Sequence, residues 1–284
     1  MTDSNPQMRG FAIREIDWRA SPVRYAVGGA GPPLALVHGL GGTIANWLAL
    51  APALAERHRV VIVDLPGHGG SAPLPAAPRV DAFADAVLAV LEAEDALPAP
   101  WIGHSLGGLV ALRAAVRRPE AVRGIVLAAA AGISSAGRGA ETALTMLAVV
   151  QPGRLLAPLR GPWSRSRLGR RLAFGWWGAS DPAAMEPELA EAFLSGPAEH
   201  TDTTSAGRAL LASDPRADLD RVTCPCLCLW GTDDNWVPLA DGVEYARRLR
   251  APLRTIAGCG HLLIGERPDA CLAAIDEFLA GLGP

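Results

Sequence analysis

Short apolar segments alternate with helical patterns along most of this chain, and this alternation constrains the fold more than any other feature. Residues 34–37 and 59–63 are continuous apolar runs, and each stops at a glycine-containing turn. Such runs are typical of strands that are buried on both faces, as in a parallel sheet. Residues 44–56, between them, have the pattern of a helix. Because parallel neighbours need a crossover connection, the pattern predicts right-handed β-α-β units.

The same alternation predicts most of the remaining elements. Residues 11–18 and 22–27 alternate apolar and polar side chains, which indicates an antiparallel pair at a sheet edge. Further strands are predicted at 98–102, 124–130, 224–230 and 252–256, and further helices at 80–94, 106–118, 239–249 and 268–282. Residues 132–214 show helical patterns without a clear strand. We therefore predict an α/β fold with a mostly parallel central sheet flanked by helices. Its core comprises residues 1–131 and 215–284, and 132–214 form a helical cap insertion.

A glycine-rich segment joins a predicted strand to a predicted helix at residues 103–108, with the sequence G-H-S-L-G-G. This is a G-x-S-x-G match in the strand–turn–helix context that the motif requires. The turn is so tight that side chains at Gly103 and Gly107 would collide with backbone, and it exposes the hydroxyl of Ser105. The following helix directs its positive N-terminus to the same place. The structural alternative is a glycine-rich helix cap without catalytic function.

A serine hydroxyl needs a base within hydrogen-bond reach, and the base needs an orienting group. Asp233 and Asp234 directly follow the predicted strand at 224–230, and His261 follows the one at 252–256. Active-site groups of open α/β sheets gather at the carboxyl ends of the strands. We therefore expect His261 and one of these aspartates to lie near Ser105.

Together these motifs resemble the α/β-hydrolase family, and the resemblance covers nearly the whole chain. The matching segments are H-G-L-G-G at 38–42, D-L-P-G-H-G-G-S at 64–71, G-H-S-L-G-G at 103–108, W-G-T-D-D-N-W-V-P at 230–238 and G-H at 260–261. The resemblance implies that Ser105 is the nucleophile, His261 the general base and Asp234 the acid that orients it. The family's acid stands four residues before a proline, and Pro238 therefore selects Asp234 over Asp233.

The resemblance also implies an oxyanion hole and a class of reaction. The backbone N–H groups of Leu40 and Leu106 are expected to bind the oxyanion. His38 is expected to support the loop of Leu40, and His104 to pack near the turn of the nucleophile. Relatives that dehalogenate alkanes or open epoxides carry aspartate in place of Ser105. Carbon–carbon bond hydrolases usually have tryptophan where this chain has Leu262, and perhydrolases usually have methionine in place of Leu106. These comparisons favour hydrolysis of a carboxylic ester or lactone through an acyl-enzyme. A carbon–carbon bond hydrolase, an acyltransferase and a non-catalytic binding or accessory protein remain alternatives.

Composition limits the cofactors and partners. All 26 basic residues are arginine, which excludes a Schiff-base lysine, a P-loop lysine and a Ser–Lys dyad. The net charge of −3 gives no general attraction to nucleic acid. No apolar run is long enough to span a membrane, and the N-terminus lacks an apolar signal segment. We predict a cytoplasmic enzyme for a small-molecule ester or lactone, without metal or cofactor. The oligomeric state stays open.

An arginine-rich stretch within the predicted cap has three interpretations. It contains interleaved leucines, a closing Trp176-Trp177 pair and six arginines: Arg154, Arg160, Arg165, Arg167, Arg170 and Arg171. The simplest interpretation is a helical cap with an apolar underside and a solvated arginine face. The others are a lipid-facing patch and an arginine that captures a substrate carboxylate.

Overall fold

An eight-stranded sheet forms the centre of the computed structural model, which describes residues 8, 10–134, 159–175, 178–199 and 202–283. The strands are β1 (Phe11–Trp18), β2 (Ser21–Gly28), β3 (Pro33–Val37), β4 (Arg59–Val63), β5 (Ala99–His104), β6 (Val122–Ala128), β7 (Cys226–Gly231) and β8 (Leu253–Ile256). Their spatial order is β1-β2-β4-β3-β5-β6-β7-β8. The pairs β1–β2 and β2–β4 are antiparallel, and the other pairs are parallel. The predicted α/β class and the antiparallel edge pair are confirmed.

Helices flank this sheet. In chain order they are α1 (Ala51–Ala55), α2 (Val80–Ala93), α3 (Leu106–Arg117), α4 (Arg160–Arg165), α5 (Arg167–Phe174), α6 (Pro187–Glu199), α7 (Thr203–Leu211), α8 (Leu239–Leu249), α9 (Leu263–Glu266) and α10 (Pro268–Gly281). Helix α3 packs on β5 and β6, and α8 packs on β7. Every residue of β5 and of β7 is buried, as expected of strands covered on both faces. Across the described ranges, no helix combines the length and apolarity that a membrane crossing requires.

The prediction of one helix over residues 44–56 is wrong. A 3-10 turn at Ile44–Trp47 is followed, after a break, by α1. The carboxylate of Asp64 accepts the N–H of Ile44 at 2.7 Å, which fixes the first turn against the end of β4. Pro52 lies in the first turn of α1 and has no N–H to continue a preceding helix. The missing N–H of Pro52 therefore accounts for the break, and Asp64 fixes where the first turn begins.

The helices α4 to α7 lie between β6 and β7 in the chain, and no strand occurs in the described parts of this segment. A small apolar cluster, separate from the main core, joins this segment to the loop after β8. Its buried members are Phe174, Ala179, Met185, Ala190 and Leu262. The helical segment thus packs directly on the residue that follows His261. The exact limits of a cap at 132–214 stay a prediction.

Candidate active site

Ser105 occupies a strained turn between β5 and α3. Its φ of 52° and ψ of −116° lie in a region that side chains other than glycine rarely adopt. A Cβ atom on Gly103 would stand 2.2 Å from the carbonyl oxygen of Gly107, and one on Gly107 would stand 2.1 Å from that of Val37. The Ser105 N–H donates to the carbonyl of Ala128 at 2.9 Å. The two glycines and this bond hold a conformation that costs about 1–3 kcal/mol.

Three side chains from the ends of β5, β7 and β8 meet in one hydrogen-bonded chain. Ser105 Oγ lies 3.1 Å from His261 Nε2, and His261 Nδ1 lies 2.8 Å from Asp234 Oδ2. The side chains of His261 and Asp234 are 4% and 0% exposed. Because a carboxylate only accepts, it holds the imidazole proton on Nδ1 and leaves Nε2 free to take a proton from the hydroxyl.

Asp234, and not Asp233, faces His261. The Oδ1 atom of Asp234 accepts the N–H groups of Trp236 and Val237, each at 2.8 Å, so that Oδ2 points to the imidazole. Asp233 is exposed, and its two oxygens accept the hydroxyls of Ser180 and Thr232. These hydrogen bonds lower the pKa of Asp233. The arrangement matches the choice that Pro238 indicated.

His104 supports the imidazole from the other side. Its Nε2–H donates to the carbonyl oxygen of His261 at 2.9 Å, and the two rings lie 5.0 Å apart. Burial, together with the neighbouring His261, lowers the pKa of His104 to about 3. His104 therefore stays neutral at ordinary pH. The sequence indicated only packing for this residue, because its partner is 157 positions away.

The loop after β3 approaches the hydroxyl side of Ser105. A Cβ atom on Gly39 would stand 3.0 Å from Ser105 Cβ, so a larger residue at this position would crowd the serine. The N–H groups of Leu40 and Leu106 have no protein acceptor within the described part of the chain. Two such groups beside a serine can bind an oxygen that gains negative charge.

His38 braces this loop. It is fully buried, and its Nδ1–H donates to the carbonyl of Gly39 at 2.7 Å. Its Nε2 accepts the N–H of Leu65 at 3.0 Å. Since both ring nitrogens are used, His38 connects the ends of β3 and β4 and has no free nitrogen for substrate. This agrees with the loop-supporting role expected from the sequence.

One arginine of the arginine-rich stretch is structural. Arg170 is 5% exposed, and its guanidinium donates to the carbonyls of Ser164 at 2.6 Å, Ala183 at 2.7 Å and Pro182 at 3.1 Å. These bonds connect α4 and α5 to the loop before α6. Arg170 is thereby occupied and does not fit the interpretation of a carboxylate-binding arginine.

The outer face of α5 combines arginine with leucine. Arg167 and Arg171 are exposed, and Leu168 and Leu172 are 65% and 59% exposed. Phe174, on the inner face, packs on Leu262. The apolar underside that the simplest interpretation expects is therefore present, while the exposed leucines keep the lipid-facing interpretation open. Arg154, Trp176 and Trp177 lie outside the described residues.

The cysteines pack in the core. Cys226 and Cys228 are buried in β7, and burial raises the pKa of Cys228 to about 12. The described ranges contain no cluster of three or more His, Cys, Asp or Glu side chains suited to a metal ion.

Comparisons with known proteins agree with this geometry. The model of the alpha/beta hydrolase family matches residues 34–274. The chain belongs to this family. Among solved structures, a putative lipase from Acinetobacter baumannii superposes with a TM-score of 0.77 at 22% identity, over 96% of this chain and 92% of that one. At this identity the likeness shows the fold alone.

Two kinds of curated relative carry more sequence similarity. A dihydrolipoyllysine-residue acetyltransferase component of an acetoin cleaving system, from Pseudomonas putida, is 45% identical over 96% of this chain and 69% of its own length. A pimeloyl-[acyl-carrier protein] methyl ester esterase from Xylella fastidiosa is 30% identical over 90% of this chain and 98% of its own length. Membership of the alpha/beta hydrolase family and the esterase among these relatives support a hydrolase.

Proposed function

We propose that this protein hydrolyses a carboxylic ester or lactone through an acyl-enzyme on Ser105. The hydrogen-bonded chain from Ser105 through His261 to Asp234 carries the proposal. The strained turn adds support, because it presents the hydroxyl at the carboxyl end of β5, beside the N–H of Leu106 and close to the loop that carries Leu40. An esterase among the relatives is consistent with this chemistry.

In the first half-reaction, Ser105 Oγ attacks the carbonyl carbon of the ester as its proton passes to His261 Nε2. The carbonyl oxygen becomes an oxyanion and accepts the N–H groups of Leu40 and Leu106. Asp234 stabilises the imidazolium that forms. When the tetrahedral intermediate collapses, the bond to the alcohol oxygen breaks and the alcohol leaves with the proton from His261.

In the second half-reaction, water takes the place of the alcohol. His261 Nε2 accepts a proton from the water as its oxygen attacks the acyl carbon. The same two N–H groups bind the second oxyanion. Collapse breaks the bond to Ser105 Oγ, which regains its proton from His261, and the carboxylic acid leaves.

The test combines a p-nitrophenyl ester series, from acetate to palmitate, with labelling by a fluorophosphonate that reacts with activated serines. We expect wild type to be labelled and active, and Ser105→Ala to lose both while keeping its circular dichroism spectrum. Ser213→Ala is the matched control, because it removes a different, partly buried hydroxyl. It should keep both the labelling and the activity. Activity retained in Ser105→Ala contradicts the proposal.

A second candidate, acyl transfer, is favoured by one observation. The 45% identical relative is named as an acetyltransferase that acts on a dihydrolipoyllysine residue. The same acyl-enzyme would serve, with an acceptor thiol in place of water in the second half-reaction. Transfer and hydrolysis differ only in which nucleophile reaches the acyl carbon.

Product analysis separates the two candidates. The protein is given an acetyl ester or thioester donor, with and without dihydrolipoamide as the acceptor. Free acetate in amounts unaffected by dihydrolipoamide supports the hydrolase. Acetyl-dihydrolipoamide formed in a Ser105-dependent manner at the expense of acetate supports transfer.

A further inference from the structure

Glu266, in α9, is a buried carboxylate that accepts backbone N–H groups from two separate segments. It is 5% exposed. Its Oε2 accepts the N–H of Gly260, the residue before His261, at 2.7 Å. Its Oε1 accepts the N–H groups of Ser180 at 2.9 Å and Asp181 at 2.7 Å. A carboxylate buried away from water is stable only when such donors surround it.

The two segments are the loop that carries His261 and residues 178–181, which we term the return segment. They also touch directly. The N–H of Leu262 donates to the carbonyl of Gly178 at 2.7 Å. A Cβ atom on Gly260 would stand 2.8 Å from Ala179 Cα, so the two backbones are in close contact. The return segment follows α5 in the chain and therefore ends the arginine-rich helical stretch.

The return segment also reaches the loop of the acid. Ser180 Oγ donates to Asp233 Oδ2 at 2.8 Å, and Asp233 is adjacent to Asp234. The loops that carry Asp234 and His261 are thus both attached to one short piece of the helical segment. Of the described side chains that attach it, Glu266 alone accepts N–H groups from both the return segment and the His261 loop.

We propose that Glu266 is a positioning residue, which sets the place of His261 by fastening its loop to the return segment. This inference rests on the proposed function, since it assumes that His261 is the general base. Displacing a catalytic group by about 1 Å can cost about 10²-fold in rate. Loss of the fastening should therefore slow the chemical step more than it weakens substrate binding.

Glu266→Gln is the informative substitution. A glutamine side chain has one carbonyl oxygen and one amide NH₂ group, so it cannot accept at both ends. We expect the oxygen to stay at the return segment, where two backbone N–H groups converge, because the other end receives one backbone N–H, from Gly260, and the weaker S–H donor of Cys259 at 3.7 Å. The NH₂ group then faces the N–H of Gly260. The variant thereby breaks the bond to the His261 loop selectively.

Glu94→Gln is the matched control. Glu94 is 6% exposed and accepts from Tyr25 Oη at 2.7 Å, from Arg14 at 2.8 Å and from Arg59. These partners lie on β1, β2 and β4, the three strands at the opposite end of the sheet from β8. The control therefore removes a buried carboxylate of similar connectivity without touching the His261 loop.

The experiment measures fluorophosphonate labelling rates, kcat and KM for a p-nitrophenyl ester, and Tm. We expect both variants to lower Tm. Glu266→Gln should lower the labelling rate and kcat about tenfold or more while KM changes less than about twofold. Glu94→Gln should change neither rate by more than about twofold. A Glu266→Gln protein that is folded and labels at the wild-type rate overturns the inference, as does an equal loss of rate in Glu94→Gln.

Two further results complete the test. If Glu266→Gln does not fold, amide hydrogen exchange on the wild-type protein decides: slow exchange at Gly260 and Ser180 supports the fastening, and fast exchange at either overturns it. A wild-type protein that is not labelled at all contradicts the proposed function. If the wild-type protein is labelled and Glu266→Gln labels at the same rate, only the positioning role of Glu266 is contradicted.

Discussion

Replacing Asp234 by asparagine tests the proposed roles with the smallest change of shape. The oxygen of Asp234 that faces away from His261 accepts two N–H groups, from Trp236 and Val237, each at 2.8 Å. An asparagine must place its carbonyl oxygen there, because its NH₂ group cannot accept. The NH₂ group then faces His261 Nδ1.

The consequence for His261 follows from the donor count. With an NH₂ group opposite, Nδ1 has to be the accepting nitrogen, and the imidazole proton moves to Nε2. That nitrogen lies 3.1 Å from Ser105 Oγ and can no longer take the hydroxyl proton. A wrong tautomer of this kind lowers kcat about 10⁴-fold, or about 5.4 kcal/mol in activation free energy.

The assay is kcat for the best p-nitrophenyl ester at pH 7, together with the fluorophosphonate labelling rate and Tm. Asp233→Asn is the matched control, because its exposed carboxylate accepts only from the hydroxyls of Ser180 and Thr232. We expect Asp233→Asn to stay within about twofold of wild type.

Two results would refute this assignment of roles. If Asp234→Asn keeps more than about one tenth of kcat, the carboxylate does not set the tautomer of His261. If Asp233→Asn instead shows the large loss, the acid has been assigned to the wrong neighbour.

Three further outcomes are expected. His68 and His104 are buried and neutral, because burial lowers the pKa of each from the usual 6.5 to about 3. Between these two pH values, the unfolded chain therefore binds more protons than the folded protein. The free energy of unfolding should therefore fall by about 2 kcal/mol between pH 6 and pH 5, as measured by urea titration, and a flat profile there would refute the assignment. Gly107→Ala should abolish labelling or folding, because the new Cβ atom would stand 2.1 Å from the carbonyl oxygen of Val37. Gly281→Ala is its control, because a Cβ atom there has no neighbour within 4 Å. This variant should keep the wild-type activity and gain about 0.5–1 kcal/mol of stability, since alanine favours a helix more than glycine does. Arg170→Met removes the guanidinium from the carbonyls of Ser164 and Ala183, whereas the carbonyl of Pro182 keeps the N–H of Met185. The helical segment should lose about 2 kcal/mol or more of local stability and become more sensitive to limited proteolysis, and an unchanged cleavage rate would contradict this.

Features that depend on neighbours along the chain could be predicted from the sequence. Apolar runs of four to seven residues identified the buried strands, since burial on both faces leaves no room for polar side chains. The strand–turn–helix context located Ser105, and resemblance to a family chose Asp234 over its neighbour. The structure places both next to His261 as expected.

Features that depend on distant partners could not be predicted in this way. The carboxylate of Asp64 fixes the first turn of residues 44–56, and nothing within the segment itself indicates that contact, although Pro52 is a local signal for the break that follows. Glu266 likewise resembles an ordinary acidic residue at the start of a helix. Its partners, Gly260 and the return segment, converge on it only after the chain has folded, since Ser180 lies 86 positions away.

The attachment of the return segment also determines which parts of this protein can be exchanged for those of a relative. Between β6 and Gly178, the described residues form no hydrogen bond to Glu266 or Asp233. The junction at residues 178–181 cannot be exchanged, because its N–H groups, its Ser180 hydroxyl and its Gly178 carbonyl each have a fixed partner near the triad. A chimera that grafts a foreign helical segment should therefore cross over before Gly178. One that crosses over after Asp181 would carry a new pocket but lose the support of its own histidine loop.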